Sequence, residues 1–318
     1  MKSAIICHGD CDGIISAFLY IKHYLMDSYP KNVQLIFTQP WRAQIDARKL
    51  MKDLNQVVVL DLALSREFTN FLKNLLGRIN RLVIIDHHVS SREYESELDA
   101  GGRTKVILAK APSTPRLMIE SLKPIVNPYE EFLIDVADVC EGNESRGEEV
   151  TRVADLIKLS IARDPGDIDY LTHVVNVMLK GQNVSNDLEI VRRAKIAKFL
   201  LHRLLKVMAD RSLEVAGAKI ASLDLPESRI FAGLLGVAAT EFAKMNKSDV
   251  VLVRREEGKV VVTVRSLNDR AFRVCRELTN RVGGRYGGHA EAASATLPDL
   301  ALREAISIIS EVLKNVPK

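Results

Sequence analysis

Acidic and histidine side chains recur in three short clusters in the first third of the chain. In order, these clusters are His8, Asp10 and Asp12; Asp61 alone; and Asp86, His87 and His88. Carboxylates held close together raise one another's pKa and repel unless a counter-charge neutralises them. Divalent cations supply that charge, and a mixture of carboxylate oxygen and imidazole nitrogen suits Mn²⁺ or Mg²⁺, with Zn²⁺, Co²⁺ or Fe²⁺ as further fits. A carboxylate that bridges two such ions, roughly 3.5–4 Å apart, supports displacement at a phosphoryl group.

Each cluster alone also has a simpler interpretation. A single Asp after a strand, such as Asp61, is usually a helix cap or a turn residue. The segment HGDCDG could be a turn in which Gly13 supplies a positive φ, and His87 and His88 could be ordinary surface residues. Because all three clusters follow predicted strands, their joint occurrence favours a metal site.

Short apolar runs that are rich in β-branched residues predict the strands that precede these clusters. The predicted strands are Ala4–Cys7, Val33–Phe37, Val57–Leu60, Leu82–Ile85 and Val106–Leu108. Amphipathic segments predict helices at Gly13–Met26, Gln44–Leu54, Ser65–Leu76, Thr114–Leu122 and Tyr129–Val139. Alternating strands and helices predict a mostly parallel sheet with helices on both faces. Since the carboxyl ends of parallel strands meet at one edge, the three clusters should converge there.

The second half of the chain predicts a long helix and a smaller domain. The helix runs from about Asp187 to Arg211 and is rich in Arg and Lys, either as a solvated connection or as a helix beside a nucleic-acid groove. The predicted strands are Ala218–Leu223, Val250–Arg254 and Lys259–Arg265, and the predicted helices are Ile230–Lys244, Ala271–Val282 and Asp299–Leu313. We therefore predict a catalytic domain over residues 1–185, a connecting helix over 186–212 and a second domain over 213–318.

Composition sets broad limits on the class of protein. The chain has 318 residues, 47% of them hydrophobic, which is enough for about two domains with their own cores. A net charge of +4 is only a weak indication of polyanionic partners. Four cysteines without a CxxC pair predict a reducing, cytoplasmic environment rather than a disulfide framework, and we interpret Cys7 and Cys11 as packing residues. No signal peptide or membrane-spanning run is evident.

The clusters also resemble the motifs of a known family. VIIDHHVS, with Asp86, His87 and His88, is similar to the signature of the DHH phosphoesterase superfamily, while HGDCDG and the Asp61 segment VVLDLALS resemble its first two motifs. Asp138 in LIDVADVCEG is the best match to the fourth motif, with Asp135 as competitor. GGRYGGHAEAASA resembles the glycine-rich motif of the accessory DHHA1 domain. The resemblance implies an α/β fold, with a parallel-sheet DHH domain joined by a long helix to a smaller mixed α/β DHHA1 domain.

The resemblance assigns roles to these residues. Two divalent cations are implied, with Mn²⁺ expected first and Mg²⁺ or Co²⁺ as alternatives. The implied ligands are His8, Asp10 and Asp61 for one ion, and Asp12, Asp61, His87 and Asp138 for the other. His88 would contact the scissile phosphate, and Asp86 would orient an imidazole.

The DHHA1-like segment implies a substrate-binding site in the second domain. The residues implied are Arg265, Ser266, Arg285, Gly287, Gly288 and His289. Glycines allow backbone N–H groups to approach a phosphate or base, and Arg and His add charged donors. The alternative is an ordinary loop.

Members of this superfamily share their chemistry but not their substrates. The HxDxDG spacing resembles the first motif of RecJ more than that of nanoRNases, and the chain resembles small archaeal RecJ-like nucleases. We therefore expect a single-strand-specific exonuclease on DNA or RNA that uses a water activated by two metal ions. The alternatives are a nanoRNase, a pAp phosphatase or another small-nucleotide phosphodiesterase, and a non-catalytic binding partner in replication or repair. A haloacid-dehalogenase phosphatase would use Asp10 and Asp12 but gives no reason for Asp86, His87 and His88. Self-association and a protein partner in replication or repair are compatible with any of these.

Overall fold

The computed structural model describes residues 2–98 and 101–316 of the chain. Two compact units are present, Met1–Lys195 and Ile196–Lys318, and the helix Leu188–Arg211 crosses from one to the other. The predicted α/β class is confirmed, with one parallel sheet and one mixed sheet. The predicted domain limits at residues 185 and 212 remain a prediction.

The first unit is built on a five-stranded sheet. Its strands are β1 (Ser3–His8), β2 (Val33–Thr38), β3 (Gln56–Leu60), β4 (Arg81–Asp86) and β5 (Thr104–Leu108). They are parallel and lie in the order β2-β1-β3-β4-β5. The most apolar strand, β3, is buried throughout its length, because the sheet is covered on both faces.

Helices flank this sheet and connect its strands. They are α1 (Cys11–Tyr20), α2 (Ala43–Asp46), α3 (Arg66–Leu75), α4 (Glu95–Leu98), α5 (Thr114–Leu122), α6 (Pro128–Cys140), α7 (Glu148–Ala162), α8 (Ile168–Leu179) and the crossing helix α9 (Leu188–Arg211). Short 3₁₀ segments lie at Ala47–Lys49, Val89–Tyr94 and Val184–Asn186, and a π-helical turn at Ile21–Leu25 extends α1.

The second unit contains a six-stranded mixed sheet. Its strands are β6 (Leu213–Val215), β7 (Ala218–Leu223), β8 (Asp249–Glu256), β9 (Lys259–Arg265), β10 (Arg285–Gly288) and β11 (Ala292–Leu297), in the order β10-β11-β9-β8-β7-β6. Its further helices are α10 (Leu225–Ile230), α11 (Leu235–Asn246), α12 (Ala271–Val282) and α13 (Leu302–Asn315).

Several elements differ from the sequence prediction. The predicted helix Gln44–Leu54 is wrong: α2 and a 3₁₀ turn end by Lys49. Helices α7 and α8 and strands β6, β10 and β11 were not predicted. Among the described residues, no helix has the length and apolarity needed to cross a membrane.

Candidate metal centre

The first motif lies at the junction of β1 and α1. Asp10 is the N-cap of α1, and its Oδ1 accepts a hydrogen bond from the Gly13 backbone N–H at 3.0 Å. Its Oδ2 lies 2.7 Å from Nδ1 of His8. Gly13 is required for steric reasons, because a Cβ there would lie 2.2 Å from the His8 carbonyl oxygen. The suggested positive φ at Gly13 is wrong, since this residue is helical.

Asp61 follows β3 and lies between the other two motifs. Its φ of 54° places a non-glycine residue in the left-handed region, an unfavourable conformation that proteins retain most often at functional sites. Its Oδ1 accepts a hydrogen bond from the Thr114 hydroxyl at 3.2 Å and lies 3.5 Å from His87 Nε2. Its Oδ2 lies 3.7 Å from His8 Nδ1. The backbone therefore directs this carboxylate toward histidines from both motifs.

Asp12 and His87 approach each other inside the same site. Asp12 is fully buried; its Oδ1 accepts from the Ser16 hydroxyl and its Oδ2 from the Thr114 backbone N–H. The Oδ2 atom also lies 3.9 Å from His87 Nε2. Nδ1 of His87 faces the Ala111 carbonyl oxygen at 3.2 Å, which fixes Nδ1 as the protonated nitrogen and leaves Nε2 as a ligand atom.

Within the described residues 2–98 and 101–316, three groups of side chains present ligand atoms that lie within 4.8 Å of one another. They are His8, Asp10 and Asp61; Asp61, His87 and His88; and Asp12, His87 and Glu141. Two buried atoms in these groups, Asp61 Oδ2 and His87 Nε2, have no hydrogen-bond partner in the structure. Buried polar atoms normally have partners, so these orphaned atoms, together with the mixed oxygen and nitrogen donors, fit a cation site.

The pKa values of the site residues are shifted because several carboxylates are buried close together. Burial, and then the charge of Asp10, raise the pKa of Asp61 to about 8. Burial and then Asp61 raise the pKa of Asp12 well above its usual range. Burial alone would lower the pKa of His8, but the charge and hydrogen bond of Asp10 outweigh it and raise that pKa to about 12. Without cations, the site must therefore hold protons to reduce its negative charge.

His88 projects from the same edge but is held differently. Its Nδ1 lies 2.7 Å from Oδ1 of the fully buried Asp86, whose other oxygen accepts a hydrogen bond from Ser91. Burial opposes protonation of His88, but the hydrogen bond and charge of Asp86 outweigh it and raise the pKa to about 9. A cationic imidazole that donates from Nε2–H is suited to binding a phosphate oxygen.

Asp138 lies on α6, where its carboxylate is engaged by other side chains. Its Oδ1 accepts from the Ser113 hydroxyl at 2.5 Å, and its Oδ2 accepts from Arg116 Nε at 3.0 Å and Nη2 at 2.7 Å. Asp135, the competitor from the preceding turn, pairs with Arg116 at 2.7 Å and with Arg146 at 3.1 Å. Neither carboxylate belongs to the three groups found among the described residues. Their metal roles stay predictions.

Glu141, at the end of the helix that carries Asp138, lies near His87. Glu141 is the C-cap of α6, and its Oε2 lies 3.8 Å from His87 Nε2. Burial, followed by the charge of Asp10, raises the pKa of Glu141. Sequence reasoning missed this residue; the only available signal was an acid one helical turn after the fourth motif.

Cys11 and Cys140 form a disulfide with a Cα–Cα distance of 6.3 Å. The interpretation of Cys11 as an unpaired packing residue is therefore wrong. Cys11 begins α1 and Cys140 ends α6, and these helices pack against each other. The bond links the residue between Asp10 and Asp12 to the residue before Glu141. A separation of 129 residues explains why no local spacing indicated the pair.

Two of the residues predicted to bind substrate form internal contacts in the second unit. The Arg265 guanidinium donates to the Thr240 hydroxyl at 2.9 Å and to the Val264 carbonyl at 3.1 Å, and its burial lowers its pKa. The Ser266 hydroxyl accepts from the backbone N–H groups of Asn268 and Arg270, at 3.1 and 3.2 Å. The contacts of Ser266 shape the turn between β9 and α12.

The glycine-rich segment is an exposed edge strand rather than a loop. β10 pairs antiparallel with β11 and contains Arg285, Gly287 and Gly288, all exposed, with exposed His289 directly after it. Gly288 has a φ of 129°, and a Cβ there would lie 2.4 Å from the Ala292 carbonyl oxygen. At Gly287, in contrast, a Cβ would meet only open space, so the missing side chain leaves the backbone of this residue accessible.

Part of the basic character of α9 is neutralised locally. Arg192 and Arg193 both pair with Glu189, and Arg193 also pairs with Asp167 at 2.7 Å. The Arg193 guanidinium lies 3.8 Å from the centre of the Tyr170 ring. These contacts favour a structural role for the start of this helix.

Comparison with known proteins identifies the second unit directly. Residues 215–315 match the family model of the DHHA1 domain. No curated protein sequence matches the chain.

Solved structures with the same fold cover almost the whole chain. A pGpG-specific phosphodiesterase, PggH from Vibrio cholerae, has a TM-score of 0.65 at 14% identity, with 99% of each chain covered. RecJ from Thermus thermophilus in complex with Mn²⁺ has a TM-score of 0.66 at 17% identity, and the match covers 100% of this chain but 52% of RecJ. CDC45 from Entamoeba histolytica has a TM-score of 0.62 at 8% identity, over 98% of this chain and 95% of that one.

Residues 215–315 therefore form a DHHA1 domain, as the glycine-rich motif predicted, and the whole chain has the fold of these solved structures. At such low identity the solved structures show the fold alone. The chain spans about half the length of the Thermus RecJ that it matches.

Proposed function

We propose that this protein is a metal-dependent phosphodiesterase that acts as an exonuclease on single-stranded DNA or RNA. The observation that carries the proposal is the convergence of motifs from β1, β3 and β4 on Asp61, with orphaned atoms on Asp61 and His87. Carboxylates and imidazoles in this arrangement fit two divalent cations, with Mn²⁺ expected first and Mg²⁺ or Co²⁺ as alternatives.

The proposed ligands follow from the groups that the fold brings together. His8, Asp10 and Asp61 would hold one cation, and Asp12, Asp61 and His87 the other, so that Asp61 bridges. Glu141 would add a carboxylate to the second set. Asp138 is held by Arg116 and Ser113, so it would coordinate the second cation only if its carboxylate left Arg116. When bound, the two cations would supply Lewis acidity and lower the pKa of a water molecule.

The remaining residues would orient the substrate. The protonated Nε2 of His88 donates to a non-bridging oxygen of the scissile phosphate and stabilises the negative charge that develops there. Asp86 holds the His88 ring in place through Nδ1, and Ser91 holds Asp86. In the DHHA1 domain, the exposed Arg285, Gly287, Gly288 and His289 would bind substrate.

A phosphodiesterase for very short substrates is the second candidate. The match to PggH, a phosphodiesterase for a dinucleotide, covers nearly all of both chains. The local neutralisation of Arg192 and Arg193 also weakens the case for a long strand along α9. A non-catalytic role, alone or beside a replication or repair partner, is less favoured because the predicted ligand positions hold metal-binding residue types.

A digestion ladder separates these candidates. The protein is incubated with Mn²⁺ and with DNA and RNA single strands of graded length, labelled separately at each end. Stepwise shortening of long strands supports the exonuclease and gives its polarity. Cleavage restricted to the shortest strands supports the second candidate, and no cleavage of any strand contradicts both.

A further inference from the structure

The only tryptophan of the chain is strongly exposed close to the proposed metal centre. Trp41 is 77% exposed and follows β2, the neighbour of β1 in the sheet. The indole of Trp41 is therefore exposed at the edge of the sheet that carries the proposed metal centre, where its aromatic face is free to bind a ligand.

Trp41 is close in the chain to residues that contact the proposed metal centre. His8, at the end of β1, lies opposite Thr38, and the Gly9 backbone N–H donates to the Thr38 carbonyl at 3.1 Å. Gln39 Oε1 lies 2.9 Å from Nε2 of His8. Since two residues of chain span at most about 7 Å, Trp41 lies within that distance of Gln39, measured between Cα atoms.

The turn that carries Trp41 is anchored by hydrogen bonds. The Arg42 backbone N–H donates to the Gln39 carbonyl at 2.8 Å. The buried Asp46 accepts from the Thr38 hydroxyl at 2.7 Å and from Lys49 Nζ at 2.9 Å. The turn between Thr38 and Asp46 is therefore held at both ends. Binding of a ligand to the indole would not require a loose loop to become ordered, so the entropic cost of binding is lower.

The chemistry beside the ring favours a nucleobase as ligand. The Arg42 guanidinium lies 5.5 Å from the centre of the Trp41 ring, and its Nε lies 3.4 Å from Asp46. Because Arg42 is paired with Asp46, the planar face of the indole is the group that would bind a base, as in proteins that bind single strands.

We propose that Trp41 stacks on a nucleobase next to the scissile phosphate. This inference rests on the proposed function and adds a base-recognition site in the catalytic domain, apart from the DHHA1 residues. The stacking contact selects nucleic-acid substrates over phosphodiesters that lack a base and tolerates any base, since every base has a π-face.

Because the chain has one tryptophan, its fluorescence reports on this residue alone. The full-length protein is titrated with short single strands of DNA and RNA in the presence of EDTA, which prevents hydrolysis. We expect quenching of the emission that saturates with strand concentration. An otherwise identical strand with an abasic residue at the terminal position next to the cleaved bond should quench weakly.

Variants test how much stacking on Trp41 contributes to the free energy of strand binding. From the stacking contribution per base, Trp41→Ala should weaken binding of labelled strands about five- to 150-fold, and Trp41→Phe should retain most of the affinity. With Mn²⁺, Trp41→Ala should raise KM on the intact strand and leave turnover of the abasic strand unchanged. Tyr24→Ala is the control variant. It removes an aromatic side chain that is 43% exposed and lies about 20 Å along the helix from the start of α1, so it should change neither the binding affinity nor KM.

Two results would overturn the inference while leaving the proposed function intact. One is equal binding and hydrolysis of intact strands by wild type and Trp41→Ala. The other is absence of quenching by strands together with a change in oligomeric state in Trp41→Ala, which would make Trp41 part of a protein interface. If wild type neither binds nor cleaves any strand, the proposed function itself fails.

Discussion

Exchange of Glu141 should weaken cation binding and exchange of Asp138 should destabilise the fold, because the two carboxylates have different partners. Glu141 Oε2 lies 3.8 Å from His87 Nε2, among the proposed ligands, whereas Asp138 pairs with the buried Arg116. We therefore expect Glu141→Gln to weaken cation binding with little effect on the fold, and Asp138→Asn to destabilise the fold even without cations.

The magnitudes follow from the geometry of each contact. Two unit charges about 4 Å apart interact by about 4 kcal/mol at the effective dielectric of a protein surface. Since the Glu141 side chain is 29% exposed, we expect a loss of about 3 kcal/mol, or about 150-fold in Mn²⁺ affinity. Removal of one partner from a buried ion pair costs about 3–5 kcal/mol. Arg116 retains Asp135 at 2.7 Å, so Asp138→Asn should lie near the lower end.

The assays are calorimetric titration with Mn²⁺ and urea unfolding in EDTA. Glu144→Gln, an exposed acid in the loop after α6, is the matched control and should change neither result. The reasoning is refuted if Asp138→Asn is as stable as wild type in EDTA but loses a cation, while Glu141→Gln binds normally. Asp138 would then be the ligand that its motif predicts, released from Arg116 when a cation binds.

Three further predictions concern pH, the disulfide and the DHHA1 domain. A carboxyl whose pKa rises on folding stabilises the fold at low pH, so the contribution of Asp61 should be lost as pH rises from its ordinary pKa of 3.8 through about 8. Urea unfolding in EDTA should show this loss, and Mn²⁺ should reverse it; a flat profile between pH 5 and 8 would contradict it. Thiol titration of the unfolded, unreduced chain should find only Cys7 and Cys275, and reduction should lower the free energy of unfolding by up to about 5 kcal/mol; four reactive thiols would exclude the Cys11–Cys140 bond. His289→Ala should raise KM more than it lowers kcat, whereas an unchanged KM with a collapsed kcat would assign this residue to the chemical step.

The sequence was sufficient to predict how the first unit gathers its polar residues. Apolar, β-branched runs predicted β1, β3 and β4, and parallel pairing requires their carboxyl ends to meet, which brought His8, Asp61 and His87 together. The prediction depended on topology, and topology is determined by many residues at once.

Features that depend on a single tertiary contact could not be predicted in this way. Glu141 reaches the site only because α6 ends there, and the Cys11–Cys140 bond depends on how α1 and α6 pack. Arg116 gave no sign in the sequence of being more than an ordinary residue of α5, although in the structure it holds the carboxylate predicted as a ligand. The segment Gln44–Leu54 had a helical pattern, but Ala47–Lys49 forms a 3₁₀ turn and the chain then leaves the helix.

The most direct test of the central claim is the number of Mn²⁺ ions bound per chain, measured for wild type and Asp61→Asn. Asn tolerates the left-handed backbone that Asp61 adopts at a φ of 54°, so this exchange removes the charge and leaves the fold in place. The account predicts two ions for wild type, and at most one, with no hydrolysis, for the variant. Two ions bound to Asp61→Asn, or no ion bound to wild type, would contradict a two-cation centre bridged by Asp61.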